Sequence, residues 1–80
     1  MDCFSNREQK ILKIIGRKKL RLYEIAEELF KGEKKVPLDP TIVVANSVTR
    51  IIRKCEHFNV GWTLDKIRVH NKLYIKRMKR

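Results

Sequence analysis

Residues 40–59, PTIVVANSVTRIIRKCEHFN, decide the fold of this chain. Wound at about 3.6 residues per turn, the stretch puts Val44, Ala45, Val48, Ile51, Ile52, Cys55 and Phe58 on one stripe. Val43, Asn46, Arg50, Arg53 and His57 fall on the opposite side. The stripe needs a protein core and the other side needs an anion. Guanidinium groups and an amide donor looking out from one side of a helix are the groups that reach phosphates and base edges in a major groove. Asp39 can accept from the first free N–H groups, and Pro40 fills the first helical position, where its missing N–H costs nothing. Asn59 and Gly61 tolerate positive φ and end the segment.

Beyond Trp62 the hydropathy period changes from helical to two, predicting a hairpin over Lys66–Lys76 that turns near His70-Asn71-Lys72. A three-residue loop pairs Val69 with Leu73 and Ile67 with Ile75, so all four face the core while Arg68, Tyr74 and Lys76 look outward. Residues 77–80 are expected to form a basic, flexible tail. Before the long helix, Ser5-Asn6-Arg7-Glu8 has the spacing of a capping box, followed by Ile11, Leu12, Ile14 and Ile15 on one helical side, with Gly16 as a stop. Arg17-Lys18-Lys19 reads equally as a solvated connector and as a phosphate contact, and Leu20-Arg21-Leu22 alternates as a short strand. Tyr23–Phe30 then predicts a helix with Glu24, Glu27 and Glu28 on its solvent side, and Lys31–Leu38 is a polar connector with Gly32 as a stop. The order is helix, short strand, helix, long helix, hairpin. That order predicts an α+β winged helix-turn-helix, whose third helix enters a major groove while the hairpin lies beside it as a wing on the backbone or minor groove.

Eighty residues can support one core, so residues 1–80 are read as a single domain. Lys and Arg number 20 against 9 Asp and Glu, a net charge of +11, and no acid follows Asp65. A positive field this directional is the footprint expected for nucleic acid, where counterion release supplies affinity. A membrane surface competes for such charge, but here the cations sit partly on a strand hairpin rather than along one interfacial helix, so no membrane partner is expected. No apolar run approaches the roughly 20 residues that span a bilayer, and no leader order is visible, which predicts a soluble, cytoplasmic protein.

Cys3 and Cys55 are isolated thiols, and Cys55 lies on the apolar stripe as a small buried hydrophobe. Cys55 and His57 form Cys-x-His without the further ligands of a zinc site, so no metal or cofactor is expected. With no Gly-rich phosphate loop and no Ser, His and acid in a catalytic spacing, an enzyme is not expected either. Phe58 and Trp62 are assigned to the core where helix and sheet must seal, and His57 to the surface. Two other readings are weighed against duplex DNA. An adaptor would use the third helix or wing to bind a protein such as RNA polymerase or a host factor. An RNA-binding role ranks below it, because the A-form major groove is too narrow for a helix.

The blocks FSNREQKILKII, LYEIAEELF, TIVVANSVTRIIRKC and KIRVHNKLYIKR resemble, in order from Phe4 to Arg77, the OmpR-type effector domain of bacterial response regulators. The resemblance implies a winged helix that binds duplex DNA and regulates transcription. It implies that Thr41, Val43, Asn46, Ser47, Arg50 and Arg53 occupy exposed recognition-helix positions and that Tyr74 is the aromatic of the final strand. It also implies that Lys31–Leu38 sits where such domains carry a loop able to contact RNA polymerase. Lys54, Arg68, His70, Asn71, Lys72, Tyr74 and Lys76 complete the expected DNA-contact set. The chain is expected to depart from the family in having no receiver domain and no four-stranded amino-terminal sheet, and its wing segment Val69–Tyr74 has none of the usual glycines. Control by phosphorylation is therefore not expected, and the shortened design fits a phage or plasmid regulator or another small winged-helix group equally well.

Overall fold

In the computed structural model, which describes residues 3–79, each helix begins and ends where its free backbone groups find partners. Helix α1 (Asn6–Ile15) starts at a closed capping box: the Glu8 N–H donates to Ser5 Oγ at 3.2 Å, and the Ser5 N–H donates to Glu8 Oε1 at 2.8 Å. It stops at Gly16, whose φ of 52° lies in the left-handed region and whose N–H reaches the Leu12 carbonyl. The two-residue strand β1 (Leu20–Arg21) leads directly into α2 (Leu22–Leu29). Glu24 does more there than solvate the helix, since its carboxylate accepts from the Arg21 N–H at 3.0 Å and closes the first turn.

Helix α3 (Pro40–Phe58) has Asp39 as its N-cap, accepting from the Ile42 N–H at 3.4 Å. It ends at Asn59 in the left-handed conformation. Strands β2 (Trp62–Val69) and β3 (Lys72–Lys79) form an antiparallel hairpin, and β1 adds to the other edge of β3, giving the sheet order β1-β3-β2.

The hairpin register departs from the sequence expectation. Val69 pairs with Lys72, Arg68 with Leu73, Ile67 with Tyr74 and Lys66 with Ile75, so the loop has two residues, His70 and Asn71. Both take positive φ, 50° and 64°, the conformation of a turn whose twist matches that of the strands it joins. His and Asn are among the non-glycine residues that adopt it most readily. One residue of slip reverses the faces. Ile75 and Leu64 are buried on the inner face, whereas Ile67 and Val69 lie on the outer face with Tyr74 and are half-buried there. Residues 77–79 are also strand rather than tail, paired with Leu64, Thr63 and Trp62, while Arg80 lies outside the described residues.

A single core joins all these elements. Phe4, Ile11 and Ile15 meet Ile25, Ala26 and Leu29 of α2, Val44, Val48, Ile51 and Cys55 of α3, and Leu64 and Ile75 of the sheet. Each fully buried Ile contributes on the order of 1.5–3 kcal/mol. All three helices therefore pack on one face of the sheet, and α3 lies against β2 with Asn46, Arg50 and Arg53 exposed on its other side. Phe58 does not join the core. It is 52% exposed and makes an edge contact with His57 at 4.8 Å, because the helix ends before its last turn can tuck beneath the sheet. Trp62 and Val60 pack against the core at that junction, the Trp62 ring 5.6 Å from Phe4.

Candidate nucleic-acid interface

The core takes one side of α3 and thereby selects what the other side presents. With Val44, Val48, Ile51 and Cys55 inward, Ile42, Asn46, Arg50, Arg53 and His57 are exposed. Asn46, Arg50 and Arg53 are thus brought together within two turns of one exposed helical side, and no acid occurs between Pro40 and Cys55 to neutralise them. Thr41 and Val43 flank this stripe and are half-buried. Ile42 was missed by pattern reading. Its 56% exposure follows from its position one turn before Asn46, which a helical count from the buried residues locates.

Two residues of the expected contact set belong to the protein interior instead. Ser47 is 4% exposed, because it sits one turn from both Val44 and Ile51 and is small enough to be enclosed by them. Lys54 is half-buried and reaches back to α1, where its Nζ donates to Glu8 Oε1 at 2.6 Å. Burial alone would push the Glu8 carboxyl up. The Lys54 hydrogen bond, the Ser5 N–H, the Lys54 charge and the Ser5 hydroxyl outweigh that push and hold it below its ordinary value. One carboxylate thus caps α1 and ties it to α3, and the ion pair holds α3 in place rather than projecting from it.

The hairpin is divided by its register. Lys66 and Arg68 are exposed on the face that carries Leu64 and Ile75, the face covered by the helices nearer the core, so they extend the helix side of the sheet beyond α3. Lys72, Tyr74 and Lys76 lie on the other face. Tyr74 is half-buried between Ile67, its cross-strand partner, and Lys19, whose Nζ stands 4.9 Å from the ring centroid. Lys76 faces Asp65, the single acid of β2. His70 and Asn71 are exposed at the tip, within reach of ligands on either side. The expected outward set of Arg68, Tyr74 and Lys76 is therefore split between two surfaces, and Lys66 joins Arg68. The signal for Lys66 was the turn itself: with His70-Asn71 as a two-residue loop, the faces follow.

Among the described residues no group of three His, Cys, Asp or Glu side chains is placed to hold a metal ion, and no helix is long and apolar enough to cross a membrane. Cys55 is buried in the core and Cys3 is half-buried beside it. Comparison with protein-family models, curated proteins and solved structures finds no match. The chemistry of the surface has to carry the functional reading.

Proposed function

We propose that this chain is a winged helix that binds duplex DNA and serves as a small transcription regulator, with α3 in the major groove and the β2–β3 hairpin as the wing. The observation that carries the proposal is the placement of Asn46, Arg50 and Arg53 on the one exposed side of the longest helix. An amide and two guanidiniums there can pair with adenine and guanine edges, while cations on the same surface take phosphates. The helix order and the β1-β3-β2 sheet support the winged-helix reading, as does the extension of the helix side by Lys66 and Arg68.

The test is an amide chemical-shift titration with mixed-sequence duplex DNA, single-stranded DNA and double-stranded RNA, paired with Arg50→Ala and Arg53→Ala. Duplex DNA is expected to shift residues of α3 and the hairpin tip. Each substitution is expected to weaken specific binding by about 1–3 kcal/mol without altering the fold. Full affinity in both variants would remove α3 from the interface.

A second reading, a winged-helix adaptor for a protein partner such as RNA polymerase or a host factor, is favoured by one observation. Tyr23, Val36, Leu38 and Ile42 are exposed apolar side chains on α2, the connector and the start of α3, and Leu38 is fully exposed. Leu38→Ser with DNA affinity unchanged but regulation lost would support that role.

A further inference from the structure

A second basic surface lies at the end of the hairpin opposite its tip. Strand β1 pairs only with Ile75 and Tyr74, so beyond it β3 runs on without a strand on that side. There Gly16, Arg17, Trp62, Lys76, Arg77, Met78 and Lys79 line an open cleft that contains no acidic side chain. Its chemistry is specific in one respect. The Arg77 guanidinium lies 4.0 Å from the centroid of Trp62, whose ring also packs against Phe4, 5.6 Å away. Arg77 is exposed, and holding its guanidinium over the ring restricts a long side chain in advance, so less entropy is lost when it meets a doubly accepting oxyanion. Arg17 and Lys79 are exposed beside it.

The cleft lies away from the hairpin tip, although Arg77 and Lys79 share the sheet face of Lys66 and Arg68. Trp62 and Lys79 pair at one end of the strands and Val69 and Lys72 at the other, about 24 Å of extended chain apart. No residue of α3 lines the cleft, and along that helix Asn46 lies roughly 18 Å, and Arg53 about 7.5 Å, from Phe58.

We infer that the Arg17, Arg77 and Lys79 cleft is a second phosphate-backbone site, which binds a separate nucleic-acid segment and lets one chain join two duplexes. The phosphate contacts of the cleft do not involve α3, whereas the joining of two duplexes rests on the α3 reading, which supplies the first. A diester phosphate supplies paired anionic oxygens for the stacked guanidinium, and the next phosphates along a strand fall to Arg17 and Lys79. No base edge need be read, so the site is indifferent to sequence.

The experiment immobilises one short duplex, adds the full chain, and measures capture of a second, labelled duplex, while the emission of Trp62, the sole tryptophan, is followed in a parallel titration. Wild type is expected to capture the second duplex. Arg17→Gln with Lys79→Gln, which leaves the Arg77–Trp62 stack intact, is expected to bind the first duplex as before and to lose the second. Each single substitution, Arg17→Gln or Lys79→Gln, should lower the salt slope of the second step by roughly 0.9, the loss of one phosphate contact. Arg50→Ala with Arg53→Ala should still change Trp62 emission on adding duplex, which separates this site from the α3 reading. If that variant binds the first duplex undiminished while the cleft variant loses the second, the α3 reading fails and the cleft stands. No second capture by wild type, with static Trp62 emission, would overturn the inference. Capture that persists in Arg17→Gln with Lys79→Gln would do so too, because it would assign joining to association between protein copies.

Discussion

Lys54→Met tests whether the ion pair between α1 and α3 is part of the frame. The substitution keeps the length and apolar stem of the side chain and removes only the ammonium, which lies 2.6 Å from Glu8 Oε1. Glu8 is 3% exposed, so its carboxylate would keep the Ser5 N–H at 2.8 Å but lose its only charged partner among the described contacts. Stranding a buried charged acceptor costs about 1–3 kcal/mol, and the 33% exposure of Lys54 argues for the lower half of that range, because water screens the pair from one side. For a domain of this size each kcal/mol corresponds to roughly 4–8 °C in Tm.

The pH profile adds a second, signed readout. The folded Glu8 carboxyl lies below its ordinary value, so as pH falls the unfolded chain takes the proton first. The pair's contribution is therefore fully present above about pH 4.3 and is lost as pH falls through the lower, folded value. Removing Lys54 takes away both its hydrogen bond and its charge and leaves the upward push of burial opposed only by Ser5, so the acid-side loss of stability should flatten. Urea denaturation followed by Trp62 emission across the acid range measures both effects. A Lys54→Met protein with the wild-type midpoint at neutral pH and the wild-type acid profile would refute the argument. Glu8→Gln with Lys54→Met should be less destabilised than the sum of the two single changes, as partners in one contact are.

Ile51→Ala, at a position with no exposure, is expected to cost about 2–5 kcal/mol, and Ile52→Ala, half-buried at the edge of the core, clearly less; equal costs would mean the stripe is rotated. By the same logic Ile75→Ala should destabilise far more than Ile67→Ala, and comparable costs, with both side chains in the core, would restore the three-residue loop. At the turn, Asn71→Gly should be neutral or stabilising, whereas Asn71→Val, forced to a φ of 64°, should lose about 1–2 kcal/mol in thermal denaturation. For DNA, Lys66→Gln with Arg68→Gln should lower the salt slope by roughly 1.8 and leave sequence preference intact, while an unchanged slope would show that the helix side of the wing does not touch phosphate.

The sequence by itself determined the parts of this protein that depend on neighbours along the chain. Ser5 and Glu8, Asp39 and Pro40, Gly16 and Asn59 set the helix ends because each satisfies backbone groups within a few residues of itself. The repeating apolar residues fixed which side of α3 meets the core, and with it the exposure of Asn46, Arg50 and Arg53. What only the tertiary structure decided are the matters that turn on distant partners. Lys54 and Arg53 are neighbouring cations on paper, yet α1 places a buried carboxylate beside one and none beside the other. Ser47 is polar by type and buried by location. The hairpin shows the limit most sharply: Ile67-Arg68-Val69 alternates equally well in either register, and the choice of face was made by two left-handed residues at the turn together with the room beneath the helices for Leu64 and Ile75. Periodicity reports that a strand has two faces, and only packing across the sheet decides which of them is turned to the core.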